Sequence, residues 1–334
     1  MKPESLRRLA RDIFAAAGMS GEHAGLVADV LVWADLRGMG SHGVMRVARY
    51  VEMIRKGELN PKASIAAHTE SAACVLLDAD RAAGPVAMTH AARLASSKAK
   101  GAGIGMAIVR ETTHTAALGY YTQLVAREGQ AAIAFAASSP LMAYHGARAA
   151  GVSTAPLSIA VPGGDEPLAL DMGSGIVSMG KLMQARRSGE ALQQGWALTA
   201  EGEPTVDPRT AAIPLPLGGP KGSGLALMFE CLASLLAASP ILAEALEGTP
   251  RGARHRQNGL VIAIDVERFV PLENFRREVA RLVRDLKALP PAAGAEILMP
   301  GERGRRSAAA RSEDIPLSPA VLDELKGVAA SFGL

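Results

Sequence analysis

The sequence contains little of what several classes of protein require. Its 334 residues include only two cysteines, Cys74 and Cys231, and each stands alone in apolar surroundings. Such cysteines form neither a disulfide framework nor the spacing of metal ligands, so we expect both to be reduced and no metal to be bound. The two Trp, four Tyr and six Phe and the net charge of +3 disfavour nucleic-acid binding, which relies on stacking side chains and a basic surface.

Long apolar segments are also missing. No apolar run reaches the roughly 18–20 residues that cross a membrane, and residues 1–8 lack the apolar core of a signal peptide. We therefore expect a cytoplasmic protein without a membrane partner. Hydrophobic residues make up 49% and charged residues 21% of the chain, as in globular proteins, and the length allows two or three lobes.

The glycine fingerprint of a Rossmann dinucleotide site is absent as well. The glycine-rich residues 101–105 precede a predicted strand, whereas the Rossmann geometry requires a strand, then the glycines, then a helix N-terminus. We interpret this stretch as a helix-to-strand turn. By itself it argues against a nicotinamide enzyme.

Hydrophobic periodicity divides the chain into three parts. Residues 1–72 predict a helical N-terminal lobe, residues 73–265 an α/β domain, and residues 266–334 a segment that returns to the N-terminal lobe. The apolar stretch 221–238 predicts a buried helix, and the Arg- and Gly-rich stretches 240–258 and 301–314 predict exposed loops. The predicted strands are 74–77, 104–109, 131–136, 158–161, 168–170 and 259–265, and the predicted helices of this part and the next are 85–100, 117–128, 176–188 and 274–288.

The most informative motif places His42 and Arg46 four residues apart, after Ser41, at the start of a predicted helix that ends at Gly57. Residues i and i+4 share one helix face. An imidazole that moves a proton, beside a guanidinium that forks onto a carboxylate, suits a small acid as substrate. A solvated helix start capped by Ser41 is the alternative interpretation.

Three further clusters carry groups that suit chemistry. His114 follows a predicted strand and precedes a helix, where a side chain can face a cleft; a hydrogen-bonded structural histidine is the alternative. Asp171 ends an apolar strand, which is typical of a ligand-facing carboxylate or of an N-cap for the next helix. The glycines of 218–224 surround Lys221 at a helix start, which predicts either an anion site or a tight packing turn.

Together these clusters resemble the type 2 malate/L-lactate dehydrogenase family. The matching motifs are D-x-R-G-x-x-S-H-G-x-x-R at 35–46, H-x-A-A-x-x-Y-Y at 114–121, L-D-M at 170–172 with a later G-K, and G-G-x-K-G-x-G-L-A at 218–226. They occur in the family's order, and the resemblance covers residues 5–305. The family includes malate, lactate, ureidoglycolate, sulfolactate and diketogulonate enzymes and reductases of cyclic imines.

The resemblance implies a fold and an activity. The implied fold is a non-Rossmann α/β fold of the L-sulfolactate dehydrogenase type, with a helical lobe and a discontinuous cofactor-binding domain, which accounts for the missing fingerprint. The implied activity is NAD- or NADP-dependent transfer of a hydride between the nicotinamide and C2 of a small 2-hydroxy or 2-oxo acid. A homodimer is also implied.

The resemblance further implies roles for individual residues. His42 and His114 become candidates for proton transfer, Asp171 for orienting one of them, and Arg46 for clamping the substrate carboxylate. Ser41 and Tyr50 join Arg46 as predicted substrate contacts. The predicted cofactor contacts are His114, Ser138, Asp171, Met172, Gly173, Lys181, Pro220, Lys221, Asn258, Gly301 and Glu302.

Two departures from the family pattern bear on the substrate. Ala155 replaces an asparagine, and Ser223 stands where members often have an aromatic residue. In the family pattern this asparagine can form a hydrogen bond in the active-site region, so its loss predicts weak activity on malate or simple lactate and better activity on a 2-oxo acid or imine with a bulkier or less polar tail. Reduction of a cyclic imine carboxylate, such as Δ1-piperideine- or Δ1-pyrroline-2-carboxylate, is one alternative function, because it needs the same clamp and hydride. A non-catalytic homologue that binds a metabolite is the other.

Overall fold

A computed structural model describes residues 1–334. The helices are α1 (Pro3–Ala16), α2 (Gly21–Leu36), α3 (Val47–Arg55), α4 (Gly84–Ala102), α5 (Gly119–Arg127), α6 (Met179–Ser188), α7 (Pro220–Glu230), α8 (Leu242–Leu246), α9 (Leu272–Lys287), α10 (Glu302–Ala310) and α11 (Pro319–Ala330). Short 3-10 turns occupy Gly40–His42, Val44–Arg46 and Val266–Arg268, and a π-helical turn, Cys231–Leu235, extends α7.

The strands are β1 (Ala66–Glu70), β2 (Cys74–Asp78), β3 (Ile104–Thr112), β4 (Gln130–Ser138), β5 (Met142–Ala143), β6 (Ala150–Val152), β7 (Leu157–Val161), β8 (Leu168–Met172), β9 (Ala197–Leu198), β10 (Pro204–Thr205), β11 (Ile213–Pro214) and β12 (Gln257–Asp265). All six strands predicted from the sequence are confirmed. The glycine-rich stretch is confirmed as a turn: α4 ends at Ala102, Gly103 has φ +85°, and β3 begins at Ile104.

Seven strands form one mixed sheet in the order β1-β2-β3-β12-β4-β7-β8. β2 and β3 run parallel, whereas every other neighbouring pair in this sheet is antiparallel. The predicted α/β class without Rossmann topology is therefore confirmed. β12 comes late in the chain yet lies at the centre of the sheet, so it brings residues from the last quarter of the sequence beside β3 and β4.

Helices cover both faces of this sheet. On one face α4 and α5 join the N-terminal helices in a core of 44 buried residues. On the other, α7 and its π-helical turn form a smaller cluster in which Phe135 and Phe229 stack with ring centres 4.5 Å apart. The end of the chain lies against its beginning: Ser307 Oγ and Arg311 donate to the carbonyl oxygens of Leu36 and Asp35.

Two predictions about exposure are wrong. The helix predicted to be buried is covered on one side only, and its outer side chains Met228, Leu235 and Leu236 are 50%, 52% and 56% exposed. Its composition resembles that of a buried helix, but nothing in the single chain covers its outer face. The two predicted loops contain helices α8 and α10, because Arg-rich segments pair with acidic side chains; Arg256 is only 4% exposed and pairs with Glu111 and Glu244.

No helix combines the length and the apolar character needed to cross a membrane.

Candidate active site

The site residues predicted at strand ends meet at one edge of the sheet. β3 ends at Thr112, which pairs with Gln257 at the start of β12, and Gln257 pairs with Ser138 at the end of β4. β8 ends at the same edge, since it is antiparallel to β7 and β7 is antiparallel to β4. His114, Ser138 and Asp171 therefore lie at or just after strand ends on the same edge of the sheet, although they are far apart in the sequence.

The turn that carries His42 and Arg46 is built by Asp35. Its buried carboxylate accepts a hydrogen bond from Val44 N at 2.7 Å, and a Cβ atom at Gly43 would collide with that carboxylate. Gly43 is extended, with φ −93° and ψ −155°, and separates two 3-10 turns. The predicted continuous helix is wrong here, because Asp35 takes the N–H group that would extend it, and His42 and Arg46 lie on separate turns.

Arg46 is anchored but not neutralised. Its Nε donates to the carbonyl oxygen of Ser41 at 2.6 Å, and no acidic side chain forms an ion pair with it. Both terminal nitrogens therefore remain free for a ligand, and two parallel N–H groups fit a carboxylate. Ser41 Oγ lies 3.0 Å from His42 Nδ1. Ser41 thus holds both neighbours, one through its backbone and one through its hydroxyl.

The structure brings the two predicted catalytic histidines together. The rings of His42 and His114 are stacked, with centres 5.6 Å apart. Behind His114 lies Tyr50, which is fully buried; its hydroxyl is 2.7 Å from His114 Nδ1 and 3.1 Å from the His114 carbonyl oxygen. Tyr50 was predicted to contact substrate, but its hydroxyl is occupied by His114, so its position suits orientation of that ring.

This contact favours one tautomer of His114. A hydroxyl donates one hydrogen bond, and when Tyr50 donates to the carbonyl oxygen its own oxygen accepts from Nδ1–H. The lone pair then lies on Nε2, the nitrogen that does not face Tyr50. Protonation of Nε2 leaves the other bonds in place, so the same arrangement serves both charge states of the ring.

Both histidines resist protonation. Burial, followed by the charge of Arg46, lowers the pKa of His42 to about 4. Burial and then the charges of Arg46 and His42 hold the pKa of His114 well below its usual range. At neutral pH both rings are neutral, which is the state that accepts a proton.

Asp171 does not make the contact with a histidine that the sequence predicts. It forms no hydrogen bond to either histidine; its Oδ2 accepts from Gly119 N at 2.8 Å, and a side chain at position 119 would crowd the carboxylate. Asp171 is open to solvent, but the surrounding protein displaces enough water to raise its pKa to about 6. It thus fixes the start of α5, just after the His114 loop, and its Oδ1 stays free.

A partly open backbone cradle lies beside Asp171. The backbone of Met172 and Gly173 is partly open, and Leu217 N donates to Ser174 O at 2.9 Å, which ties this strand end to the start of α7. A Cβ atom at Gly222 would collide with Ser174 O, so only glycine allows this approach.

The groups around this cradle fit a dinucleotide. Lys221 is exposed without an ion-pair partner, Pro220 begins the helix, and Ser138 makes only a long bond of 3.5 Å. A free cation, a hydroxyl and a free carboxylate oxygen suit the pyrophosphate and ribose groups of a nicotinamide cofactor.

Asn258 lies outside the cradle. It is fully buried, and its amide is used entirely within the protein: it donates to Ser234 Oγ and Ser239 O and accepts from Glu111 N. Glu111 has φ +54°, an unfavourable value for this residue type. Asn258 therefore holds the strained start of the His114 loop, and its contact with the cofactor stays a prediction.

Three other predicted cofactor contacts lie outside the cradle described above. Glu302 is 8% exposed and its carboxylate is bound by Lys287, Arg306 and Met299 N, so it stabilises the start of α10. The adjacent Gly301 packs on the Ala169 carbonyl of β8, with φ +80°. The third, Lys181, holds its ammonium 4.5 Å above the Trp196 ring and faces a cavity shared with Arg46.

Sequence reasoning missed two residues next to His114. Gln257 Oε1 accepts from Thr115 N and Oγ1, both at 3.0 Å, and the charge of His255 is among those that lower the pKa of His114. No local pattern marks them, because their proximity arises from the pairing of β12 with β3. Conversely, Ala155 is 1% exposed and packs in the cluster of Phe135 and Phe229, so its methyl group has no route to a substrate.

Comparison with known proteins agrees with this geometry. Residues 1–326 match the malate/L-lactate dehydrogenase family. The chain is 34% identical over 337 residues to L-sulfolactate dehydrogenase of Methanocaldococcus jannaschii, covering 100% of this chain and 97% of that protein. It is 34% identical over 304 residues to ureidoglycolate dehydrogenase (NAD(+)) of Escherichia coli K12, with 90% and 86% covered. It is 30% identical over 321 residues to (2R)-3-sulfolactate dehydrogenase (NADP(+)) of Chromohalobacter salexigens, with 95% and 94% covered.

Solved structures give the same result. Sulfolactate dehydrogenase from M. jannaschii superposes with a TM-score of 0.92, covering 100% of this chain and 97% of that one, at 34% identity. Delta1-piperideine-2-carboxylate reductase from Pseudomonas syringae superposes with a TM-score of 0.86 at 29% identity, with 98% and 99% covered. The protein is thus an NAD(P)-dependent oxidoreductase that moves a hydride between the nicotinamide and C2 of a small hydroxy or oxo acid. The chain belongs to the malate/L-lactate dehydrogenase family.

Proposed function

We propose that His114 exchanges the proton of the substrate hydroxyl and that Arg46 holds the substrate carboxylate. The observation that carries this assignment is the proximity of a neutral imidazole, oriented by Tyr50, to a guanidinium with two free nitrogens. A carboxylate on Arg46 fixes the adjacent C2 and its oxygen relative to the histidine pair. When bound, NAD(P) accepts or supplies the hydride at C2.

Arg46 also couples binding to proton transfer. Its positive charge is one cause of the lowered pKa of both His42 and His114. A bound carboxylate offsets that charge, so we expect the pKa of His114 to rise when substrate binds. This rise moves the pKa towards neutral pH, where a general acid–base group is most effective.

The cofactor contacts that we propose are Ser138, Asp171, Met172, Gly173, Pro220, Lys221 and the ring of His114, with Gly301 at the margin. Lys221→Ala is then expected to weaken NAD(P)H binding about three- to tenfold at low salt and less at high salt, because salt screens an exposed charge. Arg284→Ala, on an exposed face of α9, is the matched control. Equal binding by both variants at low salt would return the 218–224 turn to a packing role.

Reduction of a cyclic imine carboxylate is a second candidate. The observation in its favour is the superposition on a piperideine carboxylate reductase. The carboxylate clamp and the hydride are common to both reactions, and the imine differs in needing a proton at nitrogen.

One experiment separates the two candidates. Fluorescence titration with NADH and NADPH measures cofactor binding, and turnover is then measured on 2-oxo acids and on Δ1-piperideine-2-carboxylate. Higher kcat/KM on the oxo acids supports the first candidate, and higher kcat/KM on the imine supports the second. Failure of either cofactor to bind in the micromolar range contradicts both.

We also propose that two copies associate through the outer face of α7 and its π-helical turn. Met228, Leu232 and Leu235 leave about half of their surface exposed there, at 50%, 46% and 52%, and contiguous apolar patches of this kind mark interfaces. Light scattering is expected to give the mass of a dimer for the native chain and of a monomer for Met228→Glu/Leu235→Glu. A dimeric double variant would place the interface elsewhere.

We propose a cytoplasmic location as well. Cys74 and Cys231 are both free, as expected in a reducing compartment. Fractionation of cells that produce the tagged protein tests this assignment, and recovery outside the cytoplasm contradicts it.

A further inference from the structure

Backbone strain is concentrated around the loop that carries His114. Five residues other than glycine have a positive φ, between 48° and 59°, namely Asp80, Arg81, Glu111, Ala116 and Ala238. Glu111 and Ala116 bound the His114 loop. Arg81 N donates to the carbonyl oxygen of Glu111 at 2.8 Å, and Ser239, which follows Ala238, donates from its hydroxyl to the Glu111 carboxylate at 2.9 Å. Every strained residue therefore belongs to this loop, bonds to it, or adjoins a residue that does.

Such conformations need support from their surroundings. A left-handed backbone is unfavourable for a residue with a Cβ atom, so it persists only where neighbouring contacts hold it. At Glu111 these contacts are numerous. Its N–H donates to Asn258, and its carboxylate is bound by Arg251, Arg256 and Ser239. One end of the His114 loop is thus firmly held.

Ala116, at the other end of the loop, has no such contacts of its own. It is 3% exposed, and its N–H group and carbonyl oxygen form no hydrogen bond within the chain. Its conformation depends on Thr115, whose carbonyl oxygen accepts from the Tyr121 hydroxyl at 2.7 Å and whose N–H group and hydroxyl both donate to Gln257 Oε1 at 3.0 Å. Because Thr115 links His114 to Ala116, the bonds that hold Thr115 also fix the direction in which the histidine side chain leaves the backbone.

Gln257 offers a rigid anchor for this end of the loop. Thr115 N can only donate, so the amide of Gln257 must turn its oxygen towards the loop. Gln257 begins β12, and its backbone pairs with Thr112 of β3 and Ser138 of β4. The oxygen that holds the loop is therefore carried by a strand at the centre of the main sheet.

We propose that Gln257 is a positioning residue, whose side chain keeps Ala116 in its left-handed conformation and thereby holds His114 where it exchanges the substrate proton. The inference rests on the proposed function, in which His114 makes that exchange. In this role Gln257 needs no contact with substrate or cofactor. Without its oxygen, Ala116 relaxes towards negative φ, and the His114 ring leaves its place beside His42.

Suppression of one substitution by another tests this role. Gln257→Leu removes the acceptor and keeps most of the side-chain volume; it is expected to lower kcat about tenfold, because a left-handed alanine that nothing holds is a minor conformer. Glycine adopts positive φ as readily as negative φ, so adding Ala116→Gly is expected to raise the kcat of the Gln257→Leu protein about threefold. Ala238→Gly relieves the same strain at a residue that does not adjoin Thr115, and adding it is expected to restore nothing.

Two further variants control for the side chain itself. Gln257→Glu keeps an acceptor for Thr115, and its kcat at its own pH optimum is expected to stay within about threefold of the native value. Gln193→Leu makes the leucine substitution at an exposed position and is expected to leave kcat unchanged. Should Gln257→Leu not fold, Gln257→Asn takes its place, because it draws the acceptor back by one methylene group. The inference is overturned if Gln257→Glu loses as much kcat as Gln257→Leu, or if Ala116→Gly restores no more than Ala238→Gly.

Hydrogen exchange separates failure of this inference from failure of the proposed function. Amide exchange of residues 112–117, followed by mass spectrometry, is expected to be about tenfold faster in Gln257→Leu than in the native protein, because the Thr115 N–H group loses its acceptor. This measurement does not depend on turnover. If His114→Gln keeps the native kcat while exchange is faster in Gln257→Leu, the proposed function fails and the hold of Gln257 on the loop stands. Unchanged exchange in Gln257→Leu overturns the inference.

Discussion

His42 and His114 lie with ring centres 5.6 Å apart, but the segments that carry them are held in different ways. The His42 turn is fixed by residues within twelve positions of one another, through the Asp35–Val44 and Arg46–Ser41 bonds. The His114 loop is fixed by partners from distant parts of the chain: Tyr50 bonds the ring and Gln257 bonds the next residue.

This difference indicates that the two histidines have different roles in proton transfer. His42 Nδ1 meets a serine hydroxyl on the adjacent residue, which provides little control over the ring's tautomer. His114 Nδ1 meets a buried hydroxyl that has a carbonyl oxygen as its second partner, which favours a lone pair on Nε2. We therefore expect His114 to exchange the proton and His42 to support it by packing against its ring.

The largest expected effect on kcat comes from replacing the two histidines one at a time. His114→Gln is expected to lower kcat about 10³-fold, within the usual range of general acid–base catalysis, because glutamine cannot exchange the proton. His42→Gln is expected to lower kcat by about tenfold, because it removes the stacked ring but not the proton acceptor. Stopped-flow single-turnover rates at saturating NAD(P)H measure both. A larger loss for His42→Gln would reverse the assignment.

The next effect concerns the residue that builds the His42 turn. Burial raises the pKa of Asp35 from 3.8 to about 6, so in this range the folded chain keeps a proton that the unfolded chain has lost. The stability that Asp35 contributes is therefore present at low pH and is lost as the pH rises from 3.8 to about 6, by up to about 3 kcal/mol.

Urea unfolding of the native chain and of Asp35→Asn at pH 4 and pH 7 measures this contribution. The difference in free energy of unfolding between the two proteins is expected to move in favour of the variant as the pH rises. If the two proteins keep a constant difference, Asp35 does not titrate in this range.

Tyr50→Phe tests the long-range support of His114. The ring remains and can still pack near Phe14, but the acceptor for Nδ1–H is lost. We expect kcat to fall about tenfold, the cost of one hydrogen bond made to a charged group. The acidic limb of the oxidation profile is expected to move to lower pH, since the protonated ring loses a stabilising partner. A lower kcat without this movement would indicate a packing defect only.

The smallest expected effect belongs to Ser41→Ala. Its backbone still anchors Arg46, and only the hydroxyl near His42 is lost. We expect kcat to fall about threefold or less, in line with a neutral hydrogen bond near solvent. A loss greater than that of Tyr50→Phe would make His42 the proton-exchanging group and remove the contrast between the two segments.

The same contrast explains which parts of the site the sequence predicted. His42, Arg46, His114 and Asp171 could be selected because their chemistry and their places at strand ends or turns are visible locally. Asn258 was assigned to the cofactor through the family resemblance, yet its amide is consumed by Ser234, Ser239 and Glu111. Those partners lie 19 to 147 positions away, beyond the reach of any local pattern.

The sequence by itself determined the α/β class, six of the seven strands of the main sheet and the identity of the reactive groups, since these depend on periodicity and side-chain chemistry within short windows. Only the tertiary structure decided which groups are neighbours and which surfaces are covered. It assigned Tyr50 to orienting His114, interrupted the helix at Gly43, and left the outer face of α7 bare. The physical reason is that burial and hydrogen-bond partners are set by strand pairing and packing between residues far apart in the chain, as when β12 enters the sheet between β3 and β4.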